Sequence, residues 1–128
     1  LALVLVVSVA AASASGAGTC ETITVGPAAS GTLRMVHRGD RLVIRLPSNP
    51  STGYSWTVRT PARPVLALTG RSFVPPPDGG RVGAPGTAVL RFRVAAVGRR
   101  TLRLAYARAW EQGVAPAGAF TLRIVARA

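Results

Sequence analysis

The side chains in this chain that could do covalent chemistry are few: one cysteine, Cys20, one histidine, His37, and four carboxylates, Glu21, Asp40, Asp78 and Glu111. Nucleophilic hydrolysis needs a nucleophile, a base within hydrogen-bond reach and a group that orients the base. Only Cys20 and His37 could supply a thiol and an imidazole. Cys20 lies near the N-terminus, and His37 adjoins the turn Arg38-Gly39-Asp40, where it reads as a surface turn residue. The carboxylates are scattered and no two share a motif, so neither a general acid–base pair nor a cage of converging metal ligands can be assembled from them. A phosphate-cradling glycine loop must open a helix, and no helix is discernible. The inventory predicts no catalytic residue, no metal and no cofactor. Function must come from shape and non-covalent contact.

Three segments are too specific in composition to be mere connectors. In the first, Asn49-Pro50-Ser51-Thr52-Gly53-Tyr54, Pro50 fixes its own φ and holds Asn49 extended. The short polar side chains of Asn49, Ser51 and Thr52 can bond nearby backbone, and Gly53 permits a positive φ. The result is a stiff loop that loses little entropy on docking. The second, Gly83-Ala84-Pro85-Gly86, has no bulky side chain, so its backbone can approach a partner closely. The third, Arg108-Ala109-Trp110, puts an arginine and a large ring where a strand ends, and these two residue types most often dominate interfaces.

The elements that must position these segments read as β-strands. Leu42, Ile44 and Leu46 alternate with Val43 and Arg45, and Trp56 and Val58 alternate with Ser55, Thr57 and Arg59. Three more runs show the same period of two: Leu90-Phe92-Val94, Leu102-Leu104-Tyr106 and Phe120-Leu122-Ile124. Each has one apolar and one wet face, as in antiparallel sheets packed on one side. Weaker strands are expected over 21–25, 32–36 and 65–73. Short strands with Gly/Pro punctuation predict an all-β sandwich of about seven to eight strands. Trp56 belongs to the inward set and is expected in the core, whereas Trp110 is expected exposed. The irregular stretch from Pro75 to Gly86 is long enough to be functional.

The length suits one domain. All 16 basic residues are arginine and the net charge is +12. Arginine in place of lysine, with abundant Ala and Gly, reads first as the habit of a GC-rich genome. The outward Arg91, Arg93, Arg103 and Arg123 read as charged strand faces that discourage edge-to-edge pairing, and the scarcity of aromatic residues argues against a nucleic-acid platform. The apolar run Leu1 to Ala12, followed by Ala12-Ser13-Ala14, reads as part of a secretory signal, since spanning a bilayer takes about 20 residues. The expected division is a signal remnant and small-residue linker over 1–18 and one domain over 19–128. The protein is then secreted, periplasmic or held at the cell envelope, with no membrane contact beyond that segment. Before Cys20, Ala17-Gly18-Thr19 lacks the usual aliphatic residue of a lipid-anchor site and has Thr where a smaller residue is expected, so Cys20 reads as a lone thiol, with a lipid anchor the alternative. With a single cysteine no internal disulfide forms, and a monomer is expected.

Taken together and in this order, the three segments resemble the loops of the chagasin-type inhibitors of papain-like cysteine peptidases. That family carries an Asn-Pro-Thr-Thr-Gly-Tyr/Phe loop, a Gly-x-Gly-Gly loop and an Arg-Pro-Trp loop. Here Ser51 stands for the first Thr, Pro85 for a Gly and Ala109 for the Pro. The resemblance runs from about Cys20 to Ala128. It implies an immunoglobulin-like antiparallel β-sandwich whose three loops cluster at one end as a wedge. It further implies a papain-like cysteine protease as partner, with Ser51 and Thr52 nearest the enzyme's Cys and His and Trp110 packed on aromatic residues beyond the primed side. Inhibition would be reversible occlusion, with no bond cleaved. Pro85 removes a backbone donor and Ala109 a rigid residue, and both changes should cost affinity. The alternative is a secreted immunoglobulin-like adhesion or structural module without inhibitory activity.

Overall fold

A computed structural model describes residues 20–76, 85–108, 110, 113 and 115–128. The segment read as a signal remnant lies outside them. Eight strands follow in chain order: β1 (Thr22–Val25), β2 (Thr32–His37), β3 (Arg41–Ser48), β4 (Tyr54–Thr60), β5 (Leu66–Val74), β6 (Gly86–Val94), β7 (Gly98–Arg108) and β8 (Gly118–Arg127). Short 3-10 turns occupy Pro27–Ala29 and Pro50–Thr52. The strands form two four-stranded sheets in the orders β1-β3-β6-β5 and β2-β8-β7-β4. The alternation read from the sequence is what faces them together. Leu42, Ile44 and Leu46 of β3 and Leu90, Phe92 and Val94 of β6 meet Leu102 and Leu104 of β7 and Phe120, Leu122 and Ile124 of β8 in one buried core.

The expected sandwich is present, with one refinement. The central pairs β3–β6, β5–β6, β4–β7 and β7–β8 are antiparallel, but β1 joins β3 and β2 joins β8 in parallel. Alternation reports which face is wet and is silent about strand direction. Because β1 and β3 are linked through β2 in the opposite sheet, they can run the same way without a helix between them. The free edges β4 and β5 each carry a register shift, between Val58 and Thr60 and between Leu68 and Gly70. Such bulges twist an edge away from further pairing.

Two connections, β5–β6 and β7–β8, are hairpins within a sheet, and the others carry the chain between sheets. At one end the β2–β3 crossing is tied down by Asp40, only 2% exposed. Its carboxylate accepts the backbone N–H of Glu21 at 3.0 Å and of His37 at 2.9 Å. Its own carbonyl accepts the N–H of Val94 at 2.9 Å. One residue thus fastens the start of β1 and the end of β2 through its side chain and the end of β6 through its backbone. Asp40→Ala would leave two amides short of their acceptor. The expected loss is about 1.5–3 kcal/mol of unfolding free energy, read as a lower denaturation midpoint. An unchanged midpoint would show that the carboxylate holds nothing.

Candidate functional site

At the opposite end the chain again changes sheets, between Ser48 at the end of β3 and Tyr54 at the start of β4. This crossing is the Asn49–Tyr54 segment. The neighbours of its two flanking strands decide what lies beside it. Ser48 pairs with Gly86, so the second segment runs into β6 directly alongside. Tyr54 pairs with Arg108, so the third segment leaves β7 on the other side. The described parts of all three segments therefore share one end of the sandwich. Gly83, Ala84 and Ala109 lie outside the described residues; Pro85 is exposed and Gly86 buried. A Cβ on Gly86 would overlap the Val74 carbonyl oxygen and the Phe73 ring, so its small size serves the packing of β6 on β5.

The first loop is built from its own polar atoms. Pro50–Thr52 makes a 3-10 turn in which the N–H of Thr52 reaches the carbonyl of Asn49 at 3.1 Å. The Thr52 hydroxyl donates to the same carbonyl at 2.7 Å, and the Ser51 hydroxyl donates to Asn49 Oδ1 at 2.6 Å. Ser51 and Thr52 nevertheless stay exposed at the tip. Gly53 closes the turn at φ 84°, a conformation costly for residues with a Cβ.

Arg108 and Trp110 hold this loop from the side. The Arg108 Nε donates to the Thr52 carbonyl at 3.0 Å. Its guanidinium lies 4.5 Å from the centre of the Tyr54 ring and 5.9 Å from that of Trp110. The Trp110 ring rests on Gly53 so closely that a Cβ there would overlap Trp110 Cη2. Trp110 is still 68% exposed, so one face of the ring steadies the loop while the rest of it meets solvent. Trp56, by contrast, is buried, and its Nε1 donates to the Pro47 carbonyl at 2.9 Å.

One contributor was not legible as a site residue. Tyr106 reads in the sequence as an inward strand residue, yet its hydroxyl accepts the N–H of Asn49 at 2.8 Å. Its ring stacks on Tyr54 at 5.3 Å and tilts against Trp56 at 5.0 Å. The available signal was parity. Tyr106 shares a strand face with Arg108, and a half-buried tyrosine hydroxyl needs a partner. Arg71, on the edge strand of the other sheet, donates to the Trp56 carbonyl at 3.3 Å and closes the side of the sandwich beneath the loop.

Among the described residues this end carries hydroxyls, peptide groups, a guanidinium and an aromatic face, but no nucleophile–base pair. Cys20, exposed, packs near Gly39 at the far end, with His37 and Asp40 in the same turn region. Asp78 and Glu111 lie outside the described residues. The arrangement is a loop braced by its own hydrogen bonds and ring contacts, with exposed hydroxyls and an exposed ring.

Sequence and structure comparisons place this geometry among known proteins. Residues 35–124 match the model of the chagasin family peptidase inhibitor I42. Amoebiasin-2 from Entamoeba histolytica is 33% identical over 88 residues, covering 69% of this chain and 72% of the relative. Chagasin from Trypanosoma cruzi is 34% identical over 91 residues, covering 67% and 81%. The crystal structure of the cysteine protease inhibitor EhICP2 from Entamoeba histolytica has the same fold. Its TM-score is 0.74 at 24% identity, over 86% of this chain and 99% of that one.

Two substitutions test the site's internal construction. Gly53→Ala forces a Cβ into both a left-handed backbone and the Trp110 ring, with an expected loss of about 1–2 kcal/mol from the backbone alone. In a double-mutant cycle, Trp110→Ala should relieve part of that loss; strict additivity would mean that the ring does not rest on Gly53. Tyr106→Phe keeps the stacking but removes the acceptor. Hydrogen exchange at the Asn49 amide should then quicken by roughly fivefold, the equivalent of about 1 kcal/mol.

Proposed function

We propose that this chain, which belongs to the chagasin family of peptidase inhibitors, reversibly inhibits papain-like cysteine proteases by plugging their active-site cleft with the loop end of its sandwich. As a member of an inhibitor family it is not an enzyme, and the adhesion-module reading gives way to inhibition. The observation that carries the proposal is the stacked clamp of Tyr54, Arg108 and Trp110 on the first loop. It presents Ser51 and Thr52 as a fixed ridge with an exposed aromatic ring beside it.

A ridge of this kind suits a cleft that has evolved to hold extended peptide. The tip offers hydroxyls and peptide groups in a 3-10 turn, so no extended peptide bond is laid across the enzyme's nucleophile. The Asn49 carbonyl and side chain are already bonded within the loop. Docking therefore freezes little that was free, which favours affinity. In this reading Ser51 and Thr52 face the enzyme's Cys and His, Trp110 anchors one flank, and Gly83, Ala84 and Pro85 contact the other, with the buried Gly86 tying them to β6. Pro85 brings no N–H to that flank, so the second loop contributes by shape. We place the inhibitor, as a monomer, outside the cytoplasm, secreted or in the cell envelope, where its positive charge speeds encounter with acidic targets.

The deciding measurement is steady-state inhibition of papain and a cathepsin L-like protease, with a serine protease and a metalloprotease as controls. Tight, reversible inhibition confined to the cysteine proteases is expected. A folded protein inert toward every cysteine protease tried at high micromolar concentration would overturn the proposal. Trp110→Ala should weaken inhibition by about 2–4 kcal/mol, as buried aromatic anchors do, while the domain remains folded. Unchanged inhibition by that variant would remove Trp110 from the interface.

A further inference from the structure

The outward face of the β2-β8-β7-β4 sheet is not part of the loop end and is unlike an ordinary wet strand face. In the β2–β8 register Leu33 lies beside Arg123, Met35 beside Val125 and His37 beside Arg127. In the β7–β8 register Val125 lies beside Arg99, Arg123 beside Thr101 and Thr121 beside Arg103. Leu33 is 49% exposed and Met35 53%. With the half-buried Val125 they form an apolar strip, and Arg99, Arg123 and Arg127 stand exposed around it. The strip and its arginines line a shallow trough of about 470 Å³. No acidic side chain occurs among the outward described residues of this sheet.

The outer face of the other sheet makes the contrast. It also carries exposed arginines, Arg41, Arg45, Arg91 and Arg93, but its strand β3 presents only the half-buried Val43 between Arg41 and Arg45. Arg91 there is engaged with the Ser72 hydroxyl at 2.9 Å. The two faces are similar in charge; the other sheet's exposed apolar side chains, Leu68, Phe73 and Val74, lie on its edge strand β5, one strand removed from Arg41 and Arg45. Arginine ringed around protruding Leu and Met is the composition that settles at a bilayer interface, where guanidinium meets phosphate and the apolar groups enter the acyl boundary. A nucleic acid would want a platform of stacking rings, and His37 is the one ring among the described outward residues of this face. Placement agrees. The chain enters the domain at Cys20, against Gly39, at the end of the sandwich where Met35, Arg99 and Arg127 lie and the inhibitory loops do not. Residues 13–19 separate Cys20 from the apolar run and span at most about 25 Å, so wherever that run is held in a bilayer this end of the domain lies close to it.

We infer that this face is a peripheral docking surface for an anionic phospholipid bilayer, which holds the domain at the membrane while its loop end stays free to meet a protease. The sequence reading expected no membrane contact beyond the leader segment, and this inference goes beyond it and beyond inhibition itself. Arg99, Arg123 and Arg127 bind headgroup phosphate, and Leu33 and Met35 sink below it.

The test is flotation of the full chain with vesicles of phosphatidylcholine alone and of phosphatidylcholine with phosphatidylglycerol. The quantity read is the ratio of the two partition coefficients, so that any contribution of the apolar N-terminal run cancels. Arg99→Gln/Arg123→Gln/Arg127→Gln should lower the ratio by roughly tenfold or more at moderate salt. The charge-matched Arg41→Gln/Arg45→Gln/Arg93→Gln should leave it within about twofold of the parent. Leu33→Ser/Met35→Ser should reduce binding to the anionic vesicles several-fold, and the single arginine changes should give a graded loss if the triple folds poorly. Equal losses from both arginine triples would reduce the effect to bulk charge and overturn the inference. So would a face triple that alters only the oligomeric state, or only affinity for an oligonucleotide. Papain inhibition by each variant is followed in parallel. Its loss would bear on the inhibitor proposal, and the vesicle ratio alone decides this one.

Discussion

The loop end depends on one crossing. Between Ser48 and Tyr54 the chain must leave one sheet and enter the other, and it does so over the ring of Tyr106. The Tyr106 hydroxyl receives the Asn49 amide and the Trp56 indole holds the Pro47 carbonyl. The first loop is therefore fastened to the sheet that it is about to join before it turns. Because β3 pairs with β6 and β4 with β7, fixing this crossing also fixes where the other two segments emerge. A binding surface needs this kind of rigidity, since whatever disorder docking must remove is subtracted from affinity.

The two ends of the sandwich solve the same problem with different chemistry. At the far end the Asp40 carboxylate, out of solvent, collects backbone amides from separate strands. At the loop end the fastening is done by aromatic rings, a guanidinium and a hydroxyl, amphipathic groups of which all but the buried Trp56 are partly wet. The difference follows from what each end does afterwards. The Asp40 end only has to close. The loop end must close and still offer a surface, and Arg108 and Trp110 do both because a planar group has two faces.

The departures from the family's loop pattern bear on this balance. Ser51 keeps the hydroxyl that caps Asn49, so the first loop retains its internal bonds. Pro85 precedes Gly86, whose smallness is required by Phe73 and Val74, so the entry into β6 is held by packing even without a flexible glycine at 85. For the third loop, Arg108 is anchored on Thr52 and Trp110 on Gly53. Rigidity that a proline would supply between them is supplied in part by these flanking contacts.

Alternation of apolar and polar residues was enough to locate the central strands, the inward set from Leu42 to Ile124 and the buried Trp56, because the side-chain period of a strand is a local property of the backbone. The exposed Trp110 followed from its place past a strand end. The composition of 49–54 announced a stiff turn for the same reason, and the scarcity of His, Cys and carboxylates left little catalytic equipment to place. Strand partners and directions are not local. The parallel joining of β1 and β2, the pairing of Ser48 with Gly86 and of Tyr54 with Arg108, and hence the meeting of three distant segments, were decided only when the sheets closed. Tyr106 was hidden for that reason: its ring obeys the strand's period, while its hydroxyl serves a loop brought to it by the fold. The apolar strip of Leu33, Met35 and Val125 was hidden likewise, since an edge strand shows its character only once its neighbours are in place.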